Sequence, residues 1–225
     1  MTCTTAANEL LELLHHLALN RHLSTKPSPD AASTQLDLTI LYDVLIHNQE
    51  MSENLFDLQP TLIGNSIYLR PLQIEDAEAL YKVASDPLIW EQHPSPMRYQ
   101  RAIFDAEIFQ TGLASQSTLV AVDSKTNEII GSSRYYDVDA KHREIAVGFT
   151  FLSRLHWGGL VNAEMKDLML SHAFNWAKRV WFHVGIDNIR SQKAMEKIGG
   201  NLSHTAPRTL NGSPVMHCYY YIDAD

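Results

Sequence analysis

Gly158 and Gly159 stand directly before a segment with helical spacing. Glycines at such a junction let backbone N–H groups approach a pyrophosphate, at the helix end where the macrodipole favours anions. The same pair also suits a tight turn that needs no ligand. Asn188 and Ser191 lie three residues apart at the start of another helical segment. That spacing makes Asn188 an N-cap with Ser191 in the first turn, or sets an amide and a hydroxyl beside a passing ligand. Glu144 heads an apolar, alternating run. A carboxylate there is either a solvated strand-end charge or a proton acceptor. His93, His142, His156 and His183 show no metal-ligand spacing to an Asp, Glu or Cys, and His15, His16 and His22 read as a solvated helix face, so no metal is expected. Cys3 and Cys218 are far apart and form no CxxC, which argues against a disulfide framework or a thiolate zinc site and for the cytoplasm.

The elements that must position these groups are legible in the hydrophobic periodicity. The chain has 225 residues, 45% hydrophobic and 20% charged, with a net charge of -8. That composition is globular, not disordered. The acidic balance argues against a general nucleic-acid binder but not against a local basic patch. No apolar run reaches the roughly 18 residues of a membrane helix, and Glu9, Glu12, His15 and His16 interrupt the leucines that a signal peptide would need. Leu10, Leu11, Leu14 and Leu17 predict an amphipathic helix over 8–22, followed by a Pro/Ser linker over 24–30. Residues 35–49 mix strand and helix periodicity, and helix is favoured. Met51 resembles a chain start, so the residues before it read as an extension.

From residue 60 the pattern becomes regular. Strands are expected over 66–70, 118–122, 128–135, 144–151, 180–184 and 215–222, the last after an Asn211-Gly212 hairpin turn. Helices are expected over 75–85, 99–114, 161–178 and 190–198. The fold class is therefore α/β (α+β), with a mixed, mostly antiparallel central sheet flanked by helices. The domain division is an N-terminal helical extension over 1–60 and a single domain over 61–225.

This element order and three local signatures resemble the GNAT superfamily of acetyl-CoA-dependent N-acetyltransferases, in the branch of the ribosomal-protein N-terminal acetyltransferases. The first signature is Ile67-Tyr68-Leu69-Arg70-Pro71-Leu72 with Glu75-Asp76-Ala77. The second is Glu144-Ile145-Ala146-Val147-Gly148-Phe149, then Trp157-Gly158-Gly159 and Asn162-Ala163-Glu164. The third, most specific, runs from Asn188 through Ser191 and Lys197 to Gly199. The match covers about residues 62–222. One glycine of the family's anion loop is absent: Trp157 or Leu160 occupies its place, depending on whether the loop is anchored on Arg154 or on Gly158.

The resemblance implies acetyl transfer from acetyl-CoA to a primary amine, on a protein N-terminus or a small molecule, by direct attack in a ternary complex. It implies cofactor contacts from Phe149, Thr150, Phe151, Arg154, Trp157, Gly158, Gly159, Asn162, Asn188, Ser191 and Lys193. The Ser191 hydroxyl or a nearby Tyr would protonate the leaving thiolate. Glu144 is the first choice for the base, acting directly or through water. Trp90 would border the acceptor pocket, or be core. Tyr219, Tyr220 and Tyr221 alternate faces, so Tyr220 points away from its neighbours. A monomer or homodimer is expected, without nucleic-acid or membrane partners. The rival reading is a non-catalytic acyl-CoA-binding or protein-interaction module, motivated by the missing glycine and the leucine-rich extension.

Overall fold

In the computed structural model, residues 56–224 are described. The helices expected over 8–22 and 35–49 lie outside the described residues. The chain divides after Leu55, and Phe56–Asp225 forms a unit of its own.

Eight strands make one sheet in the order β1-β2-β3-β4-β5-β6-β8-β7. They are β1 (Leu62–Ile63), β2 (Ile67–Pro71), β3 (Thr118–Asp123), β4 (Ile129–Asp139), β5 (Glu144–Leu152), β6 (Arg179–Gly185), β7 (Asn201–Leu210) and β8 (Ser213–Asp223). Every neighbouring pair is antiparallel except β5–β6, which is parallel. A parallel pair needs a crossover. Here α4 (Val161–Phe174) supplies it.

Helices cover both faces because the strands alternate apolar side chains to both. On one face α4 and α5 (Ile189–Lys197) press Met165, Met169, Ala173 and Met195 onto Ile67, Tyr135, Ile145, Val147 and Phe182. On the other, α1 (Ala77–Ala84) brings Leu80 and Ala84 onto Val120, Val122 and Phe151. Phe104, Ile108 and Phe109 join that second core.

The segment that carries them departs from the single helix expected over 99–114. It is α2 (Arg101–Phe104), a π-helical turn (Asp105–Gln110) and α3 (Thr111–Ser115). The wide turn faces a buried arginine. Arg134 Nη2 donates to the Ile108 carbonyl and to Thr111 Oγ1, each at 3.2 Å, while its Nε donates to Thr118 Oγ1 at 2.7 Å. A carbonyl drawn to a side chain is a physical reason for a π bulge. The helix expected over 161–178 ends earlier, at Phe174, because Lys178 donates to the Arg143 carbonyl at 2.7 Å and commits the chain to the sheet.

Candidate active site

The parallel pair is incomplete. β5 and β6 match at Glu144↔Arg179, Ile145↔Val180 and Ala146↔Trp181, and there the pairing stops. β5 continues to Leu152 and β6 to Gly185. Beyond Ala146 the facing backbone edges have no ladder to each other, which is a place for a ligand's amides to pair.

A bulge lies within that unpaired stretch. Ser132 pairs with Phe151 and Arg134 with Gly148, so Ser133 alone opposes both Phe149 and Thr150. Phe149 has φ of 51°, a left-handed backbone that a non-glycine residue seldom adopts. Its ring is held from two sides. The Arg134 guanidinium lies 4.2 Å from its centroid, and Tyr136 meets it edge-on at 5.3 Å. Gly148 is required next to it: a Cβ there would come within 2.9 Å of the Tyr136 ring.

At the far end of β5 the chain turns through Arg154–His156 and Trp157 into α4. The Trp157 indole N–H donates to the Leu152 carbonyl at 3.0 Å, and Arg190 stacks 4.1 Å from its ring centroid. Gly158 is left-handed (φ +70°), and added Cβ atoms at Gly158 and Gly159 would meet nothing within 4 Å. The turn is therefore open. The N-cap of α4 is Leu160, which offers no side-chain cap, so the first N–H groups of the helix lack a capping side chain. Asn162 stands half-buried in that first turn. The one acid in the first turn, Glu164, is directed elsewhere: it accepts from the backbone N–H groups of Asn65 and Ser66 and from the Ser66 hydroxyl. Burial acts to raise its carboxyl, but together these hydrogen bonds outweigh that and hold it below the usual carboxylate range. The turn and helix end thus suit a pyrophosphate.

The remaining cofactor candidates divide. Asn188 caps α5, accepting from the Ser191 N–H at 3.1 Å. Lys193 is exposed on the same helix. Arg154 is ion-paired to Asp86. Thr150 accepts from Lys166 Nζ at 2.7 Å, and Phe151 is buried in the second core. Trp90, the candidate for the acceptor pocket, is 3% exposed, donates to the Ala84 carbonyl at 2.7 Å and packs against Phe151. It is not among the residues lining the cavity described next.

That cavity, of about 620 Å³, opens beside the paired heads of β5 and β6. Glu144, Ala146, Trp181, His183 and Tyr219 line its floor, with Asp137, Asp139, His204 and Arg208 around it. Glu144 Oε2 accepts from the Trp181 indole at 2.7 Å. Asp137 pairs with Arg208 at 2.9 Å and Asp139 with His142 at 2.7 Å. Among the described residues, Glu144 has no such ion pair. The Tyr136 hydroxyl and His183 Nδ1 lie 2.8 Å apart. Burial pushes the His183 ring down to about 4, so it is neutral, and pushes the Tyr136 phenol up. Tyr219 sits between two imidazoles, tilted against His183 at 4.5 Å and stacked on His204 at 4.4 Å. Tyr219 thus faces the cavity, and Tyr220, from the opposite face, joins the α4–α5 core. Tyr136 links cavity and bulge, because the same ring covers Gly148 and touches Phe149.

The arrangement is thus a gap between parallel strands, with an open glycine turn and an uncapped helix start at one end and an acid-lined, aromatic cavity at the other. Of the residues singled out in the sequence, Glu144 lies on the cavity wall and Gly158 and Gly159 lie in the open turn. Tyr136, Arg208 and Lys166 were not singled out there, and only the fold brings them beside the bulge, the cavity and Thr150. Among the described residues, no three His, Cys, Asp or Glu side chains converge as metal ligands. Among them, too, no helix is long and apolar enough to cross a membrane.

Comparison with known proteins bears on the family and the fold. The family model "Acetyltransferase (GNAT) domain" matches residues 66–201. No curated protein sequence matches the chain. Among solved structures, a GCN5-related N-acetyltransferase from Brucella melitensis is 16% identical, with a TM-score of 0.63 over 73% of this chain and 79% of that one. A GNAT-family acetyltransferase from Bacillus anthracis is 14% identical, with a TM-score of 0.60 over 73% and 98%. RimJ of Mycobacterium smegmatis, solved in complex with CoA-disulfide, is 20% identical, with a TM-score of 0.55 over 70% and 82%.

Proposed function

The chain belongs to the family of GNAT acetyltransferases, and from that premise we propose that it acetylates a primary amine held in the Glu144 cavity. The observation that carries this reading is the succession of cavity, unpaired strand edge and open glycine turn along β5 and the residues after it. The pyrophosphate of acetyl-CoA binds at Gly158, Gly159 and the first turn of α4, with Asn162 as an added donor. The pantetheine arm runs between β5 and β6, taking backbone contacts from Phe149, Thr150 and Phe151 in place of the missing ladder. Arg154, Trp157, Asn188, Ser191 and Lys193 flank this path.

The carboxylates of Asp137, Asp139 and Glu144 against Arg208 favour a cationic acceptor such as an ammonium group. An ammonium cannot attack, so it first gives a proton to Glu144, directly or through water. The neutral nitrogen attacks the thioester carbonyl, and a backbone N–H at the bulge holds the oxygen as negative charge develops. The nitrogen, made cationic by the attack, gives its second proton to water, the C–S bond breaks and the thiolate leaves. No acyl-enzyme forms. Cys218, the one described cysteine, is buried in the α4–α5 core.

Calorimetry with acetyl-CoA, followed by release of free thiol across peptides with free N-termini and small amines, tests the reading. Binding and amine-dependent thiol release are expected. Binding without turnover on any amine would favour a non-catalytic acyl-CoA-binding module. A stable acetyl adduct formed with acetyl-CoA alone, seen by mass spectrometry, would overturn direct attack.

A further inference from the structure

One buried charge has no part in the reading above. Helix α4 turns Met165, Lys166, Met169 and Ala173 into the protein. Three of these are apolar. Lys166 is 3% exposed. Its Nζ donates to Thr150 Oγ1 at 2.7 Å and lies 5.3 Å from the centroid of the Phe182 ring. Thr150 belongs to the bulge of β5, and Phe182 follows the last paired residue of β6. The ammonium therefore spans the opening between the two strands.

Among the described residues, its surroundings supply no negative charge. Thr150 and Ser133, whose hydroxyl oxygens are 2.7 Å apart, are neutral. On β8 the same core holds Cys218 and Tyr220, and burial keeps the Tyr220 phenol protonated. On α5 the buried residue is Met195. Arg134, on β4, is held by Ile108, Thr111 and Thr118. Burial alone pushes Lys166 down to about 7. A buried ammonium without a counter-ion is unfavourable, and packing alone would call for an apolar residue here.

Such a cation suits an anion that forms during the reaction. The phosphates of acetyl-CoA are accommodated at the start of α4, about 7 Å along the helix from Lys166. The pantetheine arm is uncharged. The anion that arises inside the gap is the thiolate of CoA.

We propose that Lys166 meets the sulfur of CoA and gives it a proton as the C–S bond breaks. This rests on the reading that acetyl-CoA occupies the β5–β6 gap. The electron pair of the C–S bond passes to sulfur, and the proton from Lys166 Nζ follows. The lysine is left as a neutral amine, which recovers its proton from solvent after CoA departs. The two protons lost by the acceptor nitrogen go separately, the first to Glu144 and the second to water. The acid is then Lys166 and not Ser191, which sits in the capping turn of α5.

The test uses the whole chain with two probes, CoA and desulfo-CoA, and needs no acceptor amine. The ultraviolet absorbance of the thiolate reports the titration of bound CoA. In the wild-type protein Lys166 and the bound thiol share one proton once the first is lost, so the thiolate band should appear about one pH unit or more below that of free CoA. In Lys166→Met that depression should vanish, while desulfo-CoA binds both proteins equally. A thiol that titrates alike in wild type and variant overturns the proposal. The wild-type titration also decides alone: a bound thiol that titrates like free CoA sinks the idea whatever the variant does. Failure of desulfo-CoA to bind the wild type is a different result, because it removes the gap reading itself.

Discussion

Replacing Lys166 by Met should make the chain more stable near neutral pH, and the gain should shrink in alkali. The folded lysine is pushed from 10.5 to about 7 by burial. The unfolded chain therefore binds more protons than the folded one between those values, and stability rises with pH across that window. The penalty of the buried charge is fully present below about 7 and gone above 10.5. At about 1.4 kcal/mol per pH unit, the shift makes the wild type gain about 3 kcal/mol relative to the variant between roughly pH 7 and pH 9.5. Other groups titrate in both proteins and cancel in the difference. Methionine fills much of the same volume, and Thr150 keeps its contact with Ser133. Urea unfolding followed by tryptophan fluorescence, without CoA, measures the difference at both pH values. A difference that does not change with pH would mean that the Lys166 ammonium is not desolvated, and the argument built on it would fail.

Three further outcomes are expected. Gly159 has open space and no left-handed backbone, so Gly159→Asp should leave stability within about 0.5 kcal/mol yet weaken acetyl-CoA binding by roughly tenfold or more, read by calorimetry. Equal affinity would remove that loop from the phosphate site. Glu144→Gln keeps an acceptor for the Trp181 indole, so cofactor affinity should hold while turnover falls by about 10²-fold or more; an unchanged pH–rate profile would exclude Glu144 as the base. The His183 ring, pushed down to about 4, should show no titration by NMR between roughly pH 5 and pH 8. Because its folded value lies below the unfolded one, His183 should withdraw stability as pH falls from about 6.5 toward 4, and the acid-side loss should lessen in His183→Phe.

Much of the frame is legible in the sequence because it rests on local signals. Alternation marks β3 and β5, the Asn211-Gly212 pair marks the β7–β8 hairpin, and Asn188 announces the start of α5. The open turn at Gly158 is legible for the same reason, since a left-handed residue calls for glycine. What escapes depends on contacts across the fold. The bulge at Phe149 gives no residue-level signal, as phenylalanine is an unusual occupant of that backbone region. The π turn needs Arg134, which is 26 residues from Ile108 in the chain. Tyr136 and His183 are 47 residues apart and meet only because β4, β5 and β6 are neighbours. Lys166 did leave a trace: it lies among Met165, Met169 and Ala173, so helical spacing places it at the edge of an apolar face. Trp90 could be read as pocket or core, and the buried bond from its indole to Ala84 places it in the core.

A crystal structure of the chain with bound CoA tests the central claim most directly. The account predicts the pyrophosphate against the backbone N–H groups around Gly158 and Gly159, and pantetheine amides paired with β5 beyond Ala146. It also predicts the sulfur between Lys166 and the cavity that holds Glu144. CoA bound elsewhere, or β5 and β6 paired without a break from Ala146 to Gly185, would contradict it.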